Sequence, residues 1–146
     1  MDGNACGEGA CRALSGALKC NVALETLGLF GCGISPEGGG HLASGLEENV
    51  SLLNLLMSDN DLGPIGGLAL AQALVLNQSL TRLWVADNGL GAEARRSLSD
   101  ACDAHDPTSK YGRAHTTYSE ASRQLYQAKF GERQRPVELL CEDRRA

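Results

Sequence analysis

The sequence predicts an α/β solenoid, with short parallel strands along one face and helices along the other, in about three full repeats plus a partial N-terminal one. Three observations carry this expectation. A leucine-rich phrase returns every 28 residues, opening at Leu24, Leu52 and Leu80, and a period of that length marks stacked supersecondary units. Offsets 0, 3, 5, 10, 18 and 22 of the period are never polar: Leu24, Leu27, Leu29, Ile34, Leu42, Leu46; Leu52, Leu55, Met57, Leu62, Leu70, Leu74; Leu80, Leu83, Val85, Leu90, Leu98, Cys102. Each unit also changes rhythm, from a period-2 stretch such as Leu83-Trp84-Val85 to apolar residues four apart, such as Leu70 and Leu74, which reads as strand then helix.

The frame extends backwards, since Leu14, Leu18 and Asn21 precede Leu42, Leu46 and Asn49 by 28 residues and Asn4 precedes Cys32 by the same step. The chain is therefore expected to begin inside a repeat, with units near 1–23, 24–51, 52–79 and 80–104. Beyond residue 104 the pattern degenerates. Residues 105–146 read as a C-terminal tail, either with a capping helix near 117–130 or as a flexible basic segment.

Punctuation fits the same frame. Ser35-Pro36 and Gly63-Pro64 place proline in the first helical turn, where its missing N–H costs nothing. Asn21, Asn49 and Asn77 close the helices, a position where asparagine tolerates the left-handed conformation that a C-cap often takes. At offset 8, an inward Asn4, Cys32, Asn60 and Asn88 are expected, the asparagines bonding backbone groups left open where the strand ends.

At 146 residues, 42% hydrophobic and 21% charged, the chain suits one domain. Its longest apolar run, Leu68 to Leu76, is broken by Gln72, too short for a membrane span. Met1 to Cys6 lacks the basic and apolar parts of a signal peptide, so a cytoplasmic location with reduced cysteines is expected. None of the six cysteines forms a C-x-x-C pair, and neither metal nor cofactor is expected. The net charge of −5, with eleven Asp and Glu against five Lys and Arg in residues 1–102, argues against nucleic acid as a partner.

Here the residues resemble a known family. L-x-x-L-x-L-x-x-N/C-x-L followed by glycine, a helix and N-x-S is similar to the ribonuclease-inhibitor class of leucine-rich repeats, over residues 4 to about 102. That resemblance implies a right-handed solenoid with strands on its concave face and helices on its convex face. Relatives occur in intracellular immune receptors and in the Ran GTPase-activating protein, so fold is specified better than function.

Strand positions alternating away from the core then give three columns on the concave face: Thr26, Asn54, Arg82; Gly28, Leu56, Trp84; Phe30, Ser58, Ala86. An exposed Trp84 beside Leu56, bordered by Arg82, Asp59 and Asp87, has the composition of an interface anchor. The expected partner-binding residues are Trp84, Leu56, Phe30, Arg82, Asn54, Asp59 and Asp87, and the expected partner is a protein, with no membrane and no small-molecule substrate. An alternative is that the tail covers these apolar groups.

Other motifs read as structural. Asn49-Val50-Ser51 and Asn77-Gln78-Ser79 match the N-glycosylation pattern, but the repeat demands the same residues. Gly38-Gly39-Gly40 lacks the Gly-Lys-Ser/Thr of a phosphate loop and either permits close packing or frays its helix. His41, His105 and His115 have no companions in a catalytic motif, and Glu47-Glu48 reads as a solvated helix end. No catalytic residue is expected. The loops after the strands (Phe30 to Gly33, Ser58 to Asp61, Ala86 to Gly89) carry no arginine, unlike the arginine implied by the GTPase-activator resemblance.

Overall fold

A computed structural model describes residues 1–104 of the chain, which alternate helix and strand: α1 (Glu8–Cys20), β1 (Thr26–Gly28), α2 (Pro36–Glu48), β2 (Asn54–Leu56), α3 (Gly63–Leu76), β3 (Arg82–Trp84) and α4 (Ala92–Ala104). The tail helix expected near 117–130 lies outside the described residues. The strands form one parallel sheet in the order β1-β2-β3. Its register pairs Thr26 with Asn54 with Arg82, and Gly28 with Leu56 with Trp84, the columns that the 28-residue spacing implies. Each helix packs on the next along the row α1 to α4. Among the described residues, no helix is long and apolar enough to cross a membrane.

The leucines and their substitutes fill the layer between sheet and helices. Leu29, Ile34, Leu42, Leu52, Met57, Leu62, Leu70 and Leu98 are fully buried. The expected core fails only at the ends of the row. Leu24 is 37% exposed while its equivalents Leu52 and Leu80 are buried, because among the described residues no strand precedes β1 to cover it. Leu83 and Cys102, in the last unit, are half-buried.

Helix starts follow the proline signals: Ser35 is the N-cap of α2 and its hydroxyl accepts from Gly38 N–H at 3.2 Å. The triple glycine does not fray this helix. A Cβ at Gly39 would lie 2.6 Å from Leu62 Cδ2, and one at Gly45 would lie 2.9 Å from the Ser15 backbone. These glycines let α2 approach α3 and α1 closely.

The helix-closing asparagines act differently from the expectation. Asn21, Asn49 and Asn77 have φ of −81°, −75° and −70° with extended ψ, so no left-handed cap exists there. Their side chains explain their presence. Asn77 Nδ2 donates to Leu46 O (2.6 Å) and Asn49 O (3.0 Å), while its Oδ1 accepts from Ser79 N–H (3.0 Å) and Leu80 N–H (2.7 Å). Asn49 repeats the pattern one unit earlier, on Leu18 O, Asn21 O, Ser51 N–H and Leu52 N–H. Both are 2% exposed, so the two N-x-S sequences bury their asparagines as bracing. Asn21, at the exposed end, keeps the local half, accepting from Ala23 and Leu24 N–H.

A second set closes the strand ends. Asn60 Nδ2 donates to Leu29 O and Met57 O at 2.8 Å each, and its Oδ1 accepts from Cys32 N–H and Ile34 N–H. Asn88 reaches Met57 O and Val85 O in the same way. Cys32 stands where these asparagines stand. Its thiol donates to Met1 O at 3.3 Å, taking the place of the carboxamide. Asn4, expected inward, is exposed, yet its Nδ2 still donates to Met1 O and Asp2 O, the bonds available within its own unit.

Replacing a buried bridging amide leaves several backbone groups unbonded, each costing ~1–3 kcal/mol. Asn77→Ala should therefore lower the unfolding free energy by about 3 kcal/mol, and Asn21→Ala by about 1 kcal/mol or less, as urea denaturation would measure.

Cysteine reactivity gives a second check. Cys6, Cys11 and Cys32 are buried together and unbridged. Burial first, then the neighbouring Cys6 and Cys32, pushes the Cys11 thiol from 9.0 to about 12. Since the thiolate is the nucleophile, mass-spectrometric mapping of native protein treated with a disulfide reagent near neutral pH should find exposed Cys20 modified before buried Cys6, Cys11 and Cys32. The three buried thiols should follow only on unfolding. The folded chain holds the Cys11 proton more tightly than the unfolded one. This contribution to stability is thus complete below pH 9 and lost as pH rises towards 12.

Candidate functional site: the outer face of the sheet

Alternation along each strand sends one set of side chains into the core and the other away from the helices. In the first outward column the side chains bond to one another. Asn54 Nδ2 donates to Thr26 Oγ1 at 3.0 Å, and an Arg82 guanidinium nitrogen donates to Asn54 Oδ1 at 3.2 Å. Thr26 and Arg82 are exposed and Asn54 is half-buried. The result is a polar row crossing all three strands, with the arginine at its β3 end held by a neutral partner.

The second column departs from the sequence expectation. Trp84 lies opposite Leu56 in the register and outside the helix-facing core, but it is only 6% exposed. The alternation fixes the face from which a side chain leaves the sheet, not whether water reaches it there. An indole also carries too much apolar area to be left wet without cost. Trp84 therefore does not stand out as the exposed anchor anticipated. Leu56 and Phe30 are half-buried, leaving a modest apolar floor. Gly28, the first member of this column, lies under an acid: a Cβ there would sit 2.7 Å from Asp2 Oδ1.

Asp2 was not singled out by sequence. Its Oδ1 accepts from Phe30 N–H at 2.8 Å, and Gly3 N–H donates to Phe30 O at 2.7 Å. The N-terminal residues thus occupy the open edge of β1, which an unpaired strand would otherwise offer to another chain. The one available signal was the position of Gly3, 28 residues before Gly31.

Asp59 and Asp87 follow the strands at equivalent positions, both exposed, with φ of 60° and 53°. Gly31 holds the matching place with φ 60°. Aspartate tolerates this left-handed turn better than most residues, and the two aspartates stand at equivalent positions of neighbouring units just past the strand ends. The site therefore combines one guanidinium, two turn carboxylates, a hydrogen-bonded polar row and a shallow apolar floor. Sequence reasoning brought all of these to one face and erred on the accessibility of Trp84.

Elsewhere the polar groups serve packing. His41 Nε2 lies 3.3 Å from Glu8 Oε1, and Lys19 Nζ lies 2.7 Å from Glu48 Oε1, so a hydrogen bond and an exposed ion pair clip α1 to α2. The hydrogen bond from His41, then Arg12, holds the Glu8 carboxyl below its ordinary value. Such surface pairs contribute little to stability. Among the described residues, no three His, Cys, Asp or Glu side chains are grouped to hold a metal ion.

Comparison with known proteins agrees with this geometry. The leucine-rich repeat family model matches twice, at residues 48–71 and 76–99. The two matches start one 28-residue unit apart. A solved structure of leiomodin-1 actin-binding site 2 is similar, with a TM-score of 0.60 and 17% identity over 71% of this chain. The chain spans 63% of the length of that solved chain. No curated protein matches. The alternating helices, the single sheet of three parallel strands and these likenesses make the fold a small leucine-rich-repeat solenoid segment.

Trp84 is the only tryptophan, so its fluorescence reports this face directly. Native emission should be blue-shifted and poorly quenched by iodide, both changes reversing on unfolding. Trp84→Ala should lower stability by about 3 kcal/mol in denaturant melts.

Proposed function

We propose that the chain is a non-catalytic protein-binding module, contacting its partner through the outer face of the sheet. Leucine-rich repeats are a general protein-interaction fold, and the observation that carries the specific reading is the bonded row Thr26, Asn54, Arg82 beside Asp59 and Asp87. These groups are held by backbone register and by one another, so little side-chain freedom is lost when a partner docks. The Arg82 guanidinium suits a partner carboxylate, the two turn acids suit a lysine or arginine, and Leu56 and Phe30 suit a small apolar side chain between them. The solenoid unit would be residues 1–104, with 105–146 a separate C-terminal segment. The ribonuclease-inhibitor class is the reading that the 28-residue unit supports, and a cytoplasmic location is proposed with it.

A GTPase activator resembling the Ran GTPase-activating protein is disfavoured by Arg82 itself. It lies within β3 and donates to Asn54, whereas the family resemblance implies an arginine on a loop after a strand. A fragment of an immune-type receptor would use the same face and is distinguished by its partner alone.

Asp59→Gly and Asp87→Gly suit their backbone, since Gly31 holds the equivalent φ. The triple change Asp59→Gly, Asp87→Gly, Arg82→Ala should leave thermal melting nearly unchanged. It should reduce recovery of specific partners in a quantitative pull-down by about tenfold or more. Equal recovery with both proteins would refute binding through this face.

A further inference from the structure

The outer face of the sheet is unevenly covered. Trp84, the outward residue at the end of β3, is 6% exposed, yet the residues beside it are more open. Leu56 opposite it is half-buried, and Arg82 and Ala86, the outward residues before and after it, are exposed and half-buried. Neighbours standing at the same height border an indole without roofing it. Arg82, the longest of them, is turned to Asn54 on β2. The helices lie on the far side of the leucine layer, and the N-terminal residues sit at β1, two strands away. The burial of Trp84 calls for a further layer over it, and none of these described elements supplies one.

The chain itself is delivered to this place. Parallel strands require each helix to carry the chain back to the level where strands begin, and after Cys20, Glu48 and Leu76 the next strand opens within a few residues. α4 ends in the same way at Ala104, so residues 105–146 leave it beside β3, which has β2 on one side and no described strand on the other. Extended, residues 105–116 alone span up to ~40 Å, enough to round the strand edge and reach the outer face.

Composition suits the contact. Residues 1–104 carry twelve Asp and Glu against five Lys and Arg, and residues 105–146 carry six against eight. Exposed Asp59 and Asp87 stand just past the ends of β2 and β3, and opposite charge favours the encounter. Within the segment, Tyr118, Ala121, Leu125 and Ala128 recur at helical spacing, with Lys129 at the border and Glu120 and Arg123 on the other side.

We propose that this chain's own C-terminal segment, through the apolar side running from Tyr118 to Ala128, covers the β3 end of the outer face at Trp84. The cover is argued from the burial of Trp84. Its consequence, that a partner has to displace the segment to reach this end of the face, rests on the function proposed above.

The full chain provides the test. Tyr118→Ser/Leu125→Ser should shift Trp84 emission to the red and raise its quenching by neutral acrylamide, with the cooperative melt of the repeats retained. Glu120→Ser/Arg123→Ser, on the opposite side of the spacing, should change neither reading. In the wild type, a carbodiimide should cross-link Lys110 or Lys129 to Asp59 or Asp87 within one molecule. Unaltered emission and quenching in the Tyr118/Leu125 variant would overturn the cover, as would an absence of those cross-links. Links formed only between molecules, with quenching that rises on dilution, would overturn it too and assign the cover to a second copy. Freeing the face should raise recovery of specific partners by about tenfold, the inverse of the competent fraction that the cover leaves. Exposure of Trp84 without that gain would uphold the cover and count against partner binding at this end of the sheet.

Discussion

Two buried asparagine ladders hold the units in register. A carboxamide taken out of water must find partners for both its ends, and here those partners are backbone groups of the same unit and of the unit before. Asn49 and Asn77 fasten the helix ends to the strand starts, and Asn60 and Asn88 fasten the strand ends to the helix starts. The leucine layer supplies most of the driving force but little registry, because apolar contact has no direction. The strands are only three residues long and contribute few ladder hydrogen bonds. Directional bonding at both ends of each unit supplies what the short strands lack, and the outward columns line up across the sheet as a result.

Much of this was legible in the sequence because the repeat samples the same environment several times. Cys32 shows how far the reasoning reaches: its place among Asn60 and Asn88 identified it as inward, and its thiol makes the corresponding bond to Met1 O. The helix-closing asparagines were located correctly and explained wrongly. A preference for the left-handed region is a statistical property of asparagine, whereas the bonds that hold Asn49 and Asn77 join residues about 28 and 31 apart and are invisible to local rules. Leu24 was placed in the core because the template treats all units alike, although among the described residues no strand precedes β1.

The site was legible as a face and not as a surface. Period-2 alternation put Thr26, Asn54 and Arg82 in one column, and that column is now a chain of hydrogen bonds. The burial of Trp84 depends on what packs against the face, which no strand periodicity contains. Asp2 was missed because its partner, the Phe30 amide, is an edge donor whose need for an acceptor arises only once the sheet exists.

The side-chain donors among the interunit bonds also have a direction. Asn49, Asn60, Asn77 and Asn88 all donate to carbonyls that precede them in the chain, and Cys32 does so through sulfur. During synthesis, when the N-terminal part emerges first, each new unit thus meets acceptors already in place. The stack can lengthen like a zip drawn from one end, every tooth closing on the tooth before it.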